Sequence, residues 1–115
     1  MLVAFDFGLT NTDIVISKSN ENHFHSFPTM EVNDEFISYI FDSIDINVNQ
    51  VSQIAVTGGK SSDLDDNFND IPIKKINEVD AIGSGAIALY DIGTRPFVAV
   101  SAGTGTACVY FDGKK

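Results

Sequence analysis

The sequence has one cysteine, Cys108, so no intramolecular disulfide can form, which fits a reducing compartment. Basic residues are scarce as well: seven Lys and Arg face sixteen Asp and Glu, a net charge of −9. A surface of that sign repels a phosphate backbone and disfavours general nucleic-acid binding. No apolar run approaches the ~18 residues that a membrane-spanning helix needs. The opening "MLVAFDFG" has no basic segment leading into a long apolar one, so neither a signal peptide nor a membrane span is expected. A soluble cytoplasmic protein is the expectation. No linker-like stretch divides the chain, and residues 1–115 read as one small domain. What is plentiful is apolar side chain, 43% of the residues, which argues against intrinsic disorder.

Runs rich in Val, Ile and Phe at 2–7, 13–18 and 22–27 predict three short strands, with "SKSNEN" as the second turn. After Pro28 the apolar spacing becomes helical, at Phe36, Ile37, Ile40, Phe41 and Ile44, with Asn33 or Asp34 as N-cap. "VSQIAVTGG" returns to strand character, residues 61–70 are polar with a short helix expected, and "IPIKKI" reads as extended. Residues 79–90 predict a helix rich in small residues, and strands at 97–102 and 106–111 close the chain. Helices alternate with strands after an initial meander, so the expected class is α/β with a mixed central sheet flanked by helices.

Shifted by 95 positions, the sequence superimposes on itself without a gap: Val3 to Gly8 fall on Val98 to Gly103, and Ile14 and Val15 on Val109 and Tyr110. Each copy is an apolar strand, a small polar residue, a bend rich in Gly and Thr, and a second apolar strand. Such a bend presents backbone N–H groups and hydroxyls in a concave nest for an anion. Two of them facing one another would grip a polyphosphate. Gly8, Leu9, Thr10 and Asn11 form the first candidate phosphate element, and Gly103, Thr104, Gly105 and Thr106 the second. Asp6 beside the first would repel phosphate unless a divalent cation such as Mg²⁺ lies between them.

Other stretches carry less. "IAVTGGKSS" has Ile54 where a P-loop needs its first glycine, although Thr57, Gly58 and Gly59 end a strand, where ligands gather in α/β sheets. "GSGAIA" lies inside the predicted helix and reads as close helix-on-sheet packing rather than a dinucleotide fingerprint. His23 and His25 share a strand face without a third metal ligand nearby, and Cys108 reads as core. Glu78 stands at the start of the small-residue helix, where the dipole favours a carboxylate. A single carboxylate near a phosphate site is also what phosphoryl transfer to an alcohol requires.

Together "FDFGLTNTD", "VTGG", "NEVDAIGSGA" and "SAGTGTACVYFDG" resemble, in order and spacing, the type II pantothenate kinases of the actin-like sugar-kinase superfamily. The resemblance implies a ribonuclease-H-like lobe and ATP- and Mg²⁺-dependent phosphorylation of pantothenate or a similar alcohol, the first step towards coenzyme A. By the same resemblance Glu78 is the general base, Asp6 the metal residue, and the two bends the phosphate elements. It also implies a homodimer and a C-terminal lobe beyond Lys115, without which the 115 residues are expected to be inactive. Leu9 replaces the second glycine of the first motif, and Asp13 stands where these kinases tend to carry a lysine. Asp13 also resembles the G-G-T-x-T-D opening of hydantoinase/oxoprolinase-type and activator-type ATPases of that superfamily. Those ATPases, and a non-catalytic remnant acting as an interaction module, are the alternatives.

Overall fold

The computed structural model describes residues 1–90, 95–102 and 106–113, in two compact units, Met1–Lys75 and Ile76–Lys115. The first unit holds β1 (Leu2–Phe7), β2 (Asn11–Lys18), β3 (Glu21–Pro28), α1 (Asp34–Ser43), β4 (Gln53–Gly58), β5 (Asn67–Phe68) and β6 (Ile71–Lys75). The second holds α2 (Glu78–Leu89), β7 (Phe97–Ala102) and β8 (Thr106–Phe111).

In the first unit the strands form a mixed six-stranded sheet in the order β3-β2-β1-β4-β6-β5. β1 pairs antiparallel with β2 and parallel with β4, and β4 continues parallel to β6. The β2–β3 turn is Ser19-Asn20, both with positive φ (52° and 63°), as a two-residue hairpin of the twist-matched type requires. Asn69-Asp70 makes the same kind of turn between β5 and β6, with φ of 47° and 65°.

Alternation along β1 places Val3, Phe5 and Phe7 on one face, and β2 adds Thr12, Ile14 and Ile16, β4 Ile54 and Val56. α1 covers that face with Phe36, Ile37, Ile40 and Phe41, all buried. The Phe5 and Phe7 rings stack at 5.4 Å, and Phe41 and Phe36 lean on them at 5.8 and 6.1 Å. Each such apolar side chain contributes roughly 1.5–3 kcal/mol by leaving water. The helix begins where the Asn33 side chain accepts from the Phe36 N–H at 3.0 Å. It ends with Asp45 in the left-handed region (φ 57°), while the N–H of Ile46 bonds back to Phe41 O at 2.9 Å.

Three departures of the observed elements from the sequence expectation have a visible cause. β2 starts at Asn11 rather than 13, because its first residues pair with the end of β3. Residues 61–70 form a single 3₁₀ turn, Ser61–Asp63, and then β5, since burying Phe68 against Phe41 (5.8 Å) favours an extended segment beside β6. α2 begins at Glu78, one residue early, because the Asn77 side chain caps it by accepting from the Val79 N–H at 2.8 Å.

Within the second unit the gapless self-similarity does not carry through to the register. Phe7 pairs with Thr12 across the first bend, but Ala102 pairs with Thr106 across the second, a connection one residue shorter. A slip of one residue exchanges the faces of a strand. Val98 and Val100, which correspond to the buried Val3 and Phe5, are both 62% exposed, while Val109 is buried as Ile14 is. Cys108, opposite Val100, is exposed and not core, because it lies on that same outward face. Gly83 of α2 faces β8, yet a methyl there would meet Val109 Cγ1 at an ordinary 3.9 Å, so close packing does not require that glycine.

Ile37→Ala is expected to cost roughly 2–5 kcal/mol of stability, the range for emptying a fully buried aliphatic site. Phe24→Ala, at a residue 71% exposed on β3, is expected to stay within about 0.5 kcal/mol. Urea denaturation of both variants checks the contrast.

Candidate phosphate and metal site

The first bend joins β1 to β2 through Gly8, Leu9 and Thr10. The Gly8 N–H is shared between Asp6 O and Asn11 O, both at 3.1 Å, which draws the bend tight. A Cβ on Gly8 would lie 2.6 Å from Asn11 O, so close approach, rather than a positive φ, demands glycine here. Leu9 is 75% exposed at the tip, and Thr10 and Asn11 are exposed beside it.

The bend is also held from outside the hairpin. Thr29, which follows β3, donates its hydroxyl to Gly8 O at 2.7 Å and its N–H to Thr10 O at 2.9 Å. Thr12, completely buried, bonds to the Thr29 hydroxyl at 2.9 Å. A hydroxyl has one proton, and that of Thr29 is committed to Gly8, so Thr12 is the donor of this pair. Sequence reasoning missed both threonines. The signal for Thr12 was its phase with Ile14 and Ile16: a buried hydroxyl needs a partner, although nothing in the sequence said where.

On the sheet face away from α1, register sets four polar side chains in a row: Ser26 opposite Asp13, Asp13 opposite Asp6, and Asp6 opposite Thr57. They line an open cavity of about 570 Å³ together with Ala4, Val15 and Phe24. Like charges directly opposite one another on paired strands repel, so Asp6 and Asp13 suit a site that receives a cation. The Thr57 hydroxyl oxygen is buried with no hydrogen-bond partner among the described residues. Mg²⁺ takes one or two carboxylates and completes its shell with water and phosphate oxygens. Asp6 and Asp13 fit that donor set. Among the described residues no group of three or more His, Cys, Asp or Glu side chains is placed to hold a metal.

Next to Asp6 and Thr57, β4 ends at Gly58, whose φ is +103° and whose added Cβ would lie 2.3 Å from Phe7 O. Ser61, buried, donates to Gly58 O at 2.9 Å and fixes the turn that follows. Strand and 3₁₀ turn, with no following phosphate-loop helix, agree with setting the P-loop reading aside. His23 and His25 are exposed on β3, and His23 lies 3.6 Å from Glu21.

In the second unit Glu78 is exposed at the first position of α2. Gly103, Thr104 and Gly105 lie outside the described residues, and Thr106 is the first residue of β8.

No family model matches the chain. The type II pantothenate kinase of Staphylococcus aureus strain USA300 is 30% identical over 117 residues, 99% of this chain and 41% of that protein. This chain matches type II pantothenate kinases along nearly its entire length. The enzyme of the bovine strain RF122 is 29% identical with the same coverage. The chain therefore spans about two-fifths of the length of the curated relatives it matches. Among solved structures, a candidate N-acetylglucosamine kinase from Porphyromonas gingivalis superimposes with a TM-score of 0.62 at 19% identity, over 100% of this chain and 46% of that one. The activator of 2-hydroxyisocaproyl-CoA dehydratase from Clostridium difficile, with bound ADPNP, gives 0.59 at 11% identity, over 94% and 45%. At these identities the superpositions speak for the fold, which is that of actin-like ATPases and sugar kinases.

Gly58→Ala is expected to lower stability by about 1–3 kcal/mol, the usual cost of a side chain forced into a strained backbone region. Gly8→Ala should fall in the same direction, through its carbonyl contact rather than φ. Thermal melts of the two variants beside Gly59→Ala, where an added Cβ meets nothing within 4 Å, check this.

Proposed function

We propose that this chain is the phosphate- and metal-binding lobe of an ATP-dependent kinase that phosphorylates the hydroxyl of pantothenate or a closely similar alcohol. The observation that carries the proposal is the match to type II pantothenate kinases over 99% of the chain, with Asp6 beside a tight, glycine-dependent bend. In this reading Gly8, Leu9, Thr10 and Asn11 cradle phosphate oxygens, and Gly103, Thr104, Gly105 and Thr106 do the same from the second hairpin. Asp6, with Asp13 opposite, holds Mg²⁺. When bound, Mg²⁺ neutralises charge on the phosphates. Glu78 accepts the proton of the attacking hydroxyl, and its exposure leaves it open to a substrate.

The remaining three-fifths of such an enzyme's length would complete the nucleotide site, so the 115 residues alone are proposed to be inactive. A homodimer and a cytoplasmic location belong to the same reading. Asp13 in place of a lysine favours one second reading, an activator-type ATPase lobe, in which ATP is hydrolysed without an alcohol acceptor.

The deciding assay supplies the complete protein with Mg·ATP and pantothenate and follows phosphopantothenate. Glu78→Gln is expected to lower kcat about 10²-fold or more, the scale of a lost general base. Turnover like that of the wild type in this variant would remove Glu78 from the mechanism. ATP hydrolysis unaffected by any pantothenate-like alcohol selects the second reading. Asp13→Lys is expected to raise KM for Mg·ATP, because it removes one of the two carboxylates that hold the cation; an unchanged KM shows that Asp13 takes no part in holding the metal.

A further inference from the structure

We propose that Thr29 is a positioning residue for the phosphate-holding bend: its hydroxyl, lying outside the hairpin, sets the direction of the backbone N–H that the bend offers to an anion. This inference rests on the proposed phosphate role of residues 8–11 and deepens it.

The Gly8 N–H closes the bend on Asn11 O at 3.1 Å. The carbonyls of the bend are bonded from outside the hairpin: Gly8 O by the Thr29 hydroxyl at 2.7 Å, and Thr10 O by the Thr29 N–H at 2.9 Å. In the trans peptide between Gly8 and Leu9 the carbonyl and the N–H point to opposite sides. Turning Gly8 O towards Thr29 therefore turns the Leu9 N–H away from it, towards the exposed side of the bend. Leu9, lacking the conformational freedom of glycine, makes this outside anchor more consequential. The buried Thr12 hydroxyl, donating to Thr29 at 2.9 Å, keeps the Thr29 proton pointed at Gly8. A carbonyl left unanchored at this place would be free to face the ligand, and a carbonyl oxygen repels phosphate. The chain Thr12 to Thr29 to Gly8 O thus fixes the polarity of the bend, not only its shape.

The test is ¹⁵N-edited NMR of the 115-residue chain, titrated with inorganic tripolyphosphate and Mg²⁺, for wild type, Thr29→Val and Thr29→Ser. Valine keeps the shape of threonine and its backbone N–H while removing the hydroxyl. We expect tripolyphosphate to move the Leu9 and Thr10 amide signals of the wild type. In Thr29→Val the affinity should fall about tenfold, the scale of one lost hydrogen bond. The amide signals of residues 8–11 should shift while those of Ile37 and Ile40 stay in place. Thr29→Ser should restore both. Equal affinity and unmoved signals in Thr29→Val overturn the proposal while leaving the phosphate reading standing. So does a Thr29→Ser variant as weak as Thr29→Val, since the loss then comes from packing. No response of Leu9 or Thr10 to millimolar tripolyphosphate in the wild type overturns the phosphate reading, and this inference with it. Should Thr29→Val not fold, Thr12→Val removes the donor to Thr29 and leaves the bend's own residues intact; unchanged affinity there overturns the proposal.

Discussion

The parallel pairing of β1 with β4 brings Gly58 so close to Phe7 that a single methyl group would sit 2.3 Å from a backbone oxygen. That approach locks the C-terminal end of β1, and most of the candidate site depends on it. β1 joins the β2–β3 meander to the parallel half of the sheet, pairing with β2 on one side and β4 on the other. Its inner side chains, Val3, Phe5 and Phe7, form the spine on which α1 packs. Its outer side chain at the locked end is Asp6. Core and site are therefore alternate residues of one strand, and their relative placement is set by the pleat, not by a flexible connection.

Local pattern was enough to read most of this architecture. Runs rich in Val, Ile and Phe marked β1 and β2, helical spacing at Phe36, Ile37, Ile40 and Phe41 marked α1, and Asn33, one of the two expected candidates, is its cap. The ends of the two terminal strands, 97–102 and 106–111, agree with the expectation residue for residue. What the sequence hid were contacts between residues far apart along the chain. Thr29 reaches Gly8 across 21 positions and Thr12 across 17, and no periodicity encodes such a meeting. Gly58 was noticed as the end of a strand, but its closeness to Phe7 follows only once β4 is laid beside β1.

The second hairpin shows a different limit. Its likeness to the first is real at the level of letters, yet a bend one residue shorter shifts the pairing. Side chains that make a core in the first copy point outward in the second, as Val98 and Val100 do. Letter-by-letter similarity carries the strand character, because β propensity is a property of each residue. It does not carry the facing, because facing belongs to the count of residues between partners.

That count has a consequence for the first hairpin too. Thr29 lands on Gly8 because β2 and β3 run eight residues each from a turn of two, Ser19 and Asn20, at the far end of the meander. The pair of strands works as a measuring rod whose zero mark is that turn. One residue inserted there would displace the register by about 3.3 Å and invert the faces of β3. The accuracy of a polar contact at one end of the sheet is thus a matter of length, set at the other end by two residues that never come near it.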